Sequence, residues 1–265
     1  MISPKISLVQ MEINHGNIEA NLTKIKSFIK TAKKKGTDII VFPEDSLTGI
    51  VRGKPELVDH NGKYRSLFSI LAKENKIDIV CSFIESEKGK WYNACCYFDQ
   101  KGNLLGHYRK INLWHSEREY LAPGKELAVF NTRFGKVGLA ICWDLSNPLL
   151  FRKMAKLGAK IIYVPSFWSD AGISSNKTES KNIDNLCHVR AFENECAIVY
   201  VNAAGTYLPN DHLTGHTQIT IPIKGAIKKL AHNKEGMMLC VLPAAIIERA
   251  AKVYKIRRDI LADET

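Results

Sequence analysis

An α/β fold is predicted by three observations on this 265-residue sequence. Short apolar stretches with strand periodicity alternate with longer amphipathic stretches of helical period. The first three of them make a β-α-β unit over residues 5–42. A hairpin is inserted between residues 91 and 109, and no repeat, linker or low-complexity segment marks a boundary, so residues 1–265 read as one domain. Periodicity alone does not choose between a barrel, a doubly wound sheet and a sandwich.

Residues 5–11 read as the first strand. Residues 18–35 read as an amphipathic helix, with Leu22, Ile25, Phe28, Ile29 and Ala32 on one face, lysines on the other and Gly36 as its stop. The apolar strand 38–42 runs to Pro43 and Glu44. Gly49, Gly53, Pro55 and Gly62 mark 48–62 as loop. Tyr64, Leu67, Phe68 and Leu71 form the core stripe of a helix over 64–74, and 77–84 is the next strand. Strands 91–98 and 104–109 pair across the turn 99–103, so Lys110 emerges at a strand end. Residues 111–126 form an extended loop rich in aromatic and charged groups, followed by a short strand at 129–132 and a hairpin at 133–136.

In the stretch 136–158, Val137, Leu139 and Ile141 alternate with Gly138, Ala140 and Cys142. The bulky residues face one way; the small ones let something approach closely on the other, and Cys142 shares that small face at the strand's end. Asn147 and Pro148 start a helix that Gly158 stops. Residues 161–165 are an apolar strand, and 166–181 a loop with Trp168, Asp170 and a serine-rich middle, long enough to face a substrate. A helix over 182–195 carries Ile183, Leu186, Cys187, Arg190 and Ala191, and 196–202 is a strand. Residues 216–221 and 237–242 read as the last strands, joined around Gly225 and Gly236, before a helical, basic tail from 244.

Composition bounds the function classes. Apolar content of 45% with 25% charged residues describes a globular chain with a substantial core. No run of 18 apolar residues predicts a membrane span, and the N-terminus reads as a strand rather than a signal peptide, so the expected location is the cytoplasm. The seven cysteines show no short metal-ligand spacing; Cys95 and Cys96 point to opposite faces of their strand, and most of the seven read as inert core thiols in a reducing compartment. The net charge of +11 comes from dispersed lysines, with short runs only at 33–35 and 228–229. Without a recognition-helix or RNP-like signature this is a lysine-rich surface, or a weak attraction for anionic substrates, and no specific nucleic-acid partner is expected.

Three groups carry chemistry. Cys142 lies at a strand-to-turn junction, Glu44 closes a strand in Val41-Phe42-Pro43-Glu44-Asp45, and Lys110 follows a strand in His107-Tyr108-Arg109-Lys110. A thiol, a carboxylate and a lysine at strand ends are the ingredients of acyl chemistry at a C–N bond. Taken singly, each has a blander account: a buried structural cysteine, a helix cap and a surface lysine.

Together, in this order and at these separations, they resemble the nitrilase or carbon–nitrogen hydrolase superfamily through nearly the whole chain. Phe42-Pro43-Glu44 resembles that family's glutamate motif. Tyr108-Arg109-Lys110 resembles its lysine motif, and Gly138, Cys142 and Asp144 match its Gly-x-x-x-Cys-x-Asp pattern. Glu117, seven residues after Lys110 and followed by Tyr120, Pro123 and Gly124, matches its second glutamate. Arg190-Ala191-Phe192-Glu193-Asn194 resembles its helix-end signature. Asn112 departs from the histidine frequent at that place, and His115 is not its equivalent. The resemblance implies a four-layer α-β-β-α sandwich and subunit pairing, as a homodimer or higher homo-oligomer, through helices near 148–157 and 182–195.

In the mechanism these residues suggest, Cys142 is the nucleophile and Glu44 the base that takes its proton and later activates water. Lys110, with the backbone N–H of Trp143, receives the charge that develops on oxygen. Glu117 orients Lys110 or positions the substrate amide and water. Asp144 and Arg152 are expected to pair and brace the nucleophile's turn, and Glu193 to anchor a neighbouring loop. Trp143, Trp168, Tyr120 and His115 are candidate pocket walls. Neither a metal nor an organic cofactor is required. The histidines at 188, 212, 216 and 232 show no metal-ligand pattern, and Gly-x-Ser-x-Gly, Walker A and His-Glu-x-x-His motifs are absent. The expected activity is hydrolysis of a small linear amide or N-carbamoyl compound to acid and ammonia. A nitrilase, an N-acyltransferase and a catalytically silent binding dimer are the alternatives.

Overall fold

A computed structural model describes residues 2–262. Two six-stranded sheets form its centre, and their strand orders show where the chain crosses between them. The first sheet contains β1 (Lys5–Gln10), β2 (Ile39–Val41), β3 (Asp78–Glu87), β4 (Lys90–Phe98), β5 (Leu104–Arg109) and β14 (Gly236–Val241). Its order is β14-β1-β2-β3-β4-β5, with the β1–β2–β3 core parallel and the remaining pairs antiparallel. The second contains β6 (Ala128–Thr132), β7 (Gly135–Leu139), β8 (Ile161–Ser166), β9 (Ala197–Asn202), β12 (Gln218–Ile221) and β13 (Gly225–Lys229), ordered β13-β12-β9-β8-β7-β6.

Side-chain alternation along the strands builds the layers. Ile6, Leu8, Ile39, Val41, Val80, Cys95 and Tyr97 belong to the core shared with the second sheet, where Tyr97 meets Tyr163 at 5.9 Å between ring centroids. Their alternates Val9, Ile40, Ile79, Cys81, Phe83 and Cys96 face outward. That outer face is covered by α1 (Ile18–Lys34), through Ile25, Ile29 and Ala32, and by α2 (Lys63–Asn75), through Tyr64, Phe68 and Leu71. On the second sheet, α3 (Pro148–Lys156) buries Leu150, Phe151 and Met154, and α4 (Asn176–Glu193) buries Ile183, Cys187 and Ala191. The result is the α-β-β-α sandwich that the resemblance implied. Full burial of each such aliphatic or aromatic side chain is worth roughly 1.5–3 kcal/mol, so these three interfaces hold the four layers together. No described helix is long and apolar enough to cross a membrane.

Several local expectations are corrected. The cysteine strand ends at Leu139, and Cys142 stands on the 3-10 turn Cys142–Ser146. The small face of that strand serves packing: a Cβ on Gly138 would lie 2.9 Å from Met154 Sδ, so the close approach is that of α3, not of a ligand. The helix expected from 182 begins six residues earlier, at Asn176, where Ser175 accepts a hydrogen bond from the Thr178 N–H. Its first turns, Asn-Lys-Thr-Glu-Ser-Lys, bury no apolar side chain and carry no periodic signal. The last strands are not joined directly: β13 intervenes, and β14 crosses to the first sheet to pair antiparallel with β1. A small hairpin of β10 (Thr206–Leu208) and β11 (Asp211–His212) also forms in a stretch with no strand pattern. The tail folds as α5 (Ala244–Val253) and α6 (Ile256–Ala262).

Candidate active site

Glu44, Lys110 and Cys142 come from three chain ends that emerge on one side of the sandwich. Glu44 follows β2 by three residues, and its backbone N–H donates to Ser166 O at the end of β8, tying one sheet to the other. Lys110 follows β5, and its N–H donates to Asn93 O at 2.8 Å. The loop behind Lys110 is pinned by the Gly124 N–H on Lys110 O at 2.8 Å. A Cβ at Gly124 would fall 2.1 Å from Arg109 O, so only glycine permits this approach.

Cys142 sits at φ 44°, a left-handed conformation that costs a side-chain-bearing residue about 1–3 kcal/mol. Asp144 stabilises that turn. Its Oδ2 accepts from the Ile141 N–H at 2.9 Å and the Tyr108 hydroxyl at 2.7 Å. Its Oδ1 accepts from the Asn112 N–H and Nδ2, both at 2.8 Å. Asn112 Oδ1 in turn accepts from Asn147 Nδ2 at 3.0 Å. Thus Asn112, where the resemblance implies a histidine, braces the Cys142 turn against the start of α3. The expected Asp144–Arg152 pair does not form: Asp144 is fully buried among these donors, and Arg152 Nε is buried without a hydrogen-bond partner. The guanidinium that reaches the turn belongs to Arg190, which donates to Leu145 O at 3.1 Å and Ser146 O at 3.3 Å. Arg190 is itself held by Glu193 at 2.9 Å, so Glu193 anchors Arg190 rather than a loop directly.

The charged centre is compact and largely buried. Lys110 Nζ donates to Glu44 Oε1 at 2.9 Å and lies 2.9 and 2.8 Å from the two carboxylate oxygens of Glu117. Asn93 Nδ2 bridges the same carboxylates, 2.7 Å from Glu44 and 3.2 Å from Glu117. The Phe167 N–H donates to Glu44 Oε2 at 2.7 Å, and the Trp114 N–H to Glu117 Oε2 at 2.6 Å. Asn93 and the Phe167 amide were not anticipated from sequence; a lone asparagine in the apolar strand Trp91-Tyr92-Asn93-Ala94-Cys95-Cys96 was the available signal. Glu119, two residues beyond Glu117, pairs with Arg52, while Glu117 pairs with Lys110.

Burial sets the protonation states. It raises the carboxyl pKa of Glu44, and Glu117 adds to the rise while Lys110 opposes it. Burial works against the Lys110 ammonium, but Glu117 and Glu44 outweigh it and keep its pKa well above the ordinary lysine value. Burial and the charge of Glu44 push the Cys142 thiol well above its usual range, against the pull of Lys110. The sulfur of Cys142 therefore rests as a thiol rather than a preformed thiolate.

All four groups line one cavity of about 660 Å³, together with Trp143, Trp168, Tyr120 and His115, the four expected wall residues. The indoles of Trp114, Trp143 and Trp168 run along it, with successive ring centroids 4.2 and 5.1 Å apart. The Trp143 N–H, next to the thiol, makes no hydrogen bond among the described residues. The arrangement brings a thiol, a buried carboxylate, an ammonium and a backbone N–H to one cavity, the kinds of group that acyl transfer from nitrogen requires.

The family model for carbon–nitrogen hydrolases matches residues 5–252. A probable nitrilase from Schizosaccharomyces pombe is 31% identical over 88% of this chain and 86% of its own length. A 2-oxoglutaramate amidase from Bacillus subtilis is 29% identical over 96% of this chain and 98% of its own. A crystal structure of a carbon–nitrogen hydrolase from Helicobacter pylori superposes with a TM-score of 0.89 at 22% identity, over 97% of this chain and 95% of the other, and shares the fold.

Proposed function

The chain belongs to the carbon–nitrogen hydrolase family, enzymes that hydrolyse small C–N compounds, and from that premise we propose that it cleaves a small linear amide or N-carbamoyl compound through a Cys142 thioester. The observation that carries the reading is the Lys110 ammonium, held by Glu44 and Glu117 in the cavity that Cys142 also lines.

In the first half-reaction Glu44 accepts the thiol proton as Sγ attacks the carbonyl carbon. A concerted transfer suits a thiol whose pKa is raised rather than lowered. Negative charge moves onto the carbonyl oxygen, toward the Lys110 ammonium and the unoccupied Trp143 N–H. Collapse breaks the C–N bond; the proton on Glu44 goes to the departing nitrogen, and ammonia leaves. The thioester remains on Cys142. In the second half-reaction Glu44 takes a proton from water as its oxygen attacks the thioester, and that proton returns to sulfur as the acid departs. Glu117 and Asn93 keep Lys110 and Glu44 in place for both halves. One such donor is worth roughly 2.7–4 kcal/mol of transition-state stabilisation.

The likeness to a probable nitrilase keeps nitriles as a second substrate class, since the same thiol would attack a nitrile carbon. Ammonia release from a panel of amides, N-carbamoyl compounds and nitriles tests the proposal. Amides or N-carbamoyl compounds turned over by the wild type and not by Cys142→Ala are expected. A nitrile-only enzyme, or one inert on all three, would overturn it.

The reading extends to the whole chain as one domain, supported by the core that both sheets share. It also includes pairing of two copies through α3 and α4, supported by the exposed Leu149, Leu157, Val189 and Phe192 on and beside them. A monomer by light scattering would remove the pairing. A cytoplasmic location is supported by seven cysteines that remain free thiols.

A further inference from the structure

The surface of this protein is basic, but the cavity is not. Only two Lys or Arg side chains line it, and each is held by a carboxylate: Lys110 by Glu44 and Glu117, and Arg52 by Glu119. The opposite wall carries acids. Glu179, in the first turn of α4, is held by neutral donors: the indole N–H of Trp168 at 2.9 Å and the Ser174 hydroxyl at 2.6 Å. Asp211 accepts from the Ala171 N–H at 3.1 Å. No Lys or Arg ion pair with either is found among the described residues, so both charges stay available to the cavity.

Asp45 gives a second, independent indication. It follows Glu44 at φ 51°, lines the same cavity and is only 4% exposed. Its Oδ1 is buried without any hydrogen-bond partner. A buried acceptor left unpaired costs about 1–3 kcal/mol, a cost recovered when a bound molecule supplies the donor. The indole of Trp168, hydrogen-bonded to Glu179, and those of Trp143 and Trp114 farther along the same cavity add flat faces suited to an ammonium group and to an alkyl chain.

We infer that the preferred substrate is a small amide or N-carbamoyl compound bearing a protonated amine away from its scissile bond. This rests on the amide-hydrolase reading above. The ammonium is taken by Glu179 against the indole of Trp168, and Asp45 accepts a second N–H of the same molecule. The net positive surface steers anions toward the protein in general, but it does not set the selectivity of this cavity.

The test uses matched sets of primary amides and N-carbamoyl compounds, two to six carbons long, that end in an ammonium, a methyl or a carboxylate. The ratio of kcat/KM for the cationic member over its methyl-ended isostere is read for the wild type, Glu179→Gln, Glu179→Asp and Asp45→Asn. A wild-type ratio above about 10 is expected, corresponding to about 1.4 kcal/mol. Glu179→Gln, which still accepts the Trp168 N–H, should lower that ratio at least tenfold, chiefly through KM, and Glu179→Asp should restore part of it. Asp45→Asn should lower it by a smaller factor. Equal losses on both members would mean that Glu179 merely positions Trp168 and would overturn the inference. So would a wild type that prefers the carboxylate-ended or methyl-ended member, while leaving the amide-hydrolase reading intact. Failure to hydrolyse any member would remove both.

Discussion

The two ends of the cavity are built on different principles. At the buried end, Glu44, Lys110 and Cys142 stand within three residues of strand ends in two packed sheets, and Asn93, Asp144 and backbone amides leave them little freedom. At the outer end, the 167–175 loop, the start of α4 and the β10–β11 hairpin make the wall, with Ile173 81% and Leu208 52% exposed. In the proposed function the first end determines what is done to a C–N bond and the second whose C–N bond it is, and the residues of the second end lie outside the packed sheets. Catalysis needs positions held to a fraction of an ångström, which layers of β-structure supply; selectivity needs only a charge and a shape, which a loop supplies.

Substitutions should separate the two ends by size and kind of effect. Cys142→Ala should lower kcat by about 10⁵-fold or more, without unfolding the protein. Lys110→Met should cost on the order of 10³-fold in kcat, as expected for loss of the fixed oxyanion donor. Asn93→Ala removes a bridge rather than a reacting group and should cost roughly 10- to 100-fold, in kcat more than KM. At the outer end, Leu208→Ala should change kcat by less than about threefold, shifting KM between substrates instead. Steady-state kinetics on one substrate series reads all four, and a large kcat effect at Leu208 would erase the distinction.

Acid also distinguishes the regions. The proposed reaction needs Glu44 ionised, and burial raises its pKa, so activity should rise with pH through a value above the ordinary glutamate range. Glu85 behaves oppositely. It is buried away from the cavity, and although burial raises its pKa, His107 and Arg109 outweigh it and hold the carboxyl at about 2. Its stabilisation is therefore full above about pH 4.5 and is lost as pH falls toward 2. Glu85→Gln should destabilise the fold by about 2 kcal/mol near neutrality and flatten the acid limb of a denaturant series, leaving the acid limb of activity in place.

The same division decided what was legible in the sequence. Apolar period and turn residues placed the strands of the sandwich core and the four layer helices, because burial on one face imposes a pattern. Glu44, Lys110 and Cys142 each read as the terminus of an apolar run, whereas Glu117, inside the 111–126 loop, came only from the resemblance; all four line one cavity. Of the outer wall, the loop after β8 was expected to face a substrate and does line the cavity, whereas the start of α4 and the β10–β11 hairpin escaped because they obey no pattern. The first turns of α4 are polar throughout, and β10 and β11 are too short for alternation to register. Asp144 was paired with Arg152 by proximity in sequence, whereas Tyr108 and Asn112 reach it from 36 and 32 residues away. Such contacts depend on how loops return over the sheets, which local periodicity does not encode.

The central claim is that the substrate carbon becomes bonded to the sulfur of Cys142. Rapid acid quench during turnover of an amide, followed by intact and peptide mass spectrometry, addresses it directly. The account predicts an adduct equal in mass to the substrate less ammonia, on the peptide containing Cys142 and absent from Cys142→Ala. An adduct on another of the seven cysteines, or sustained ammonia release by Cys142→Ala, would contradict it.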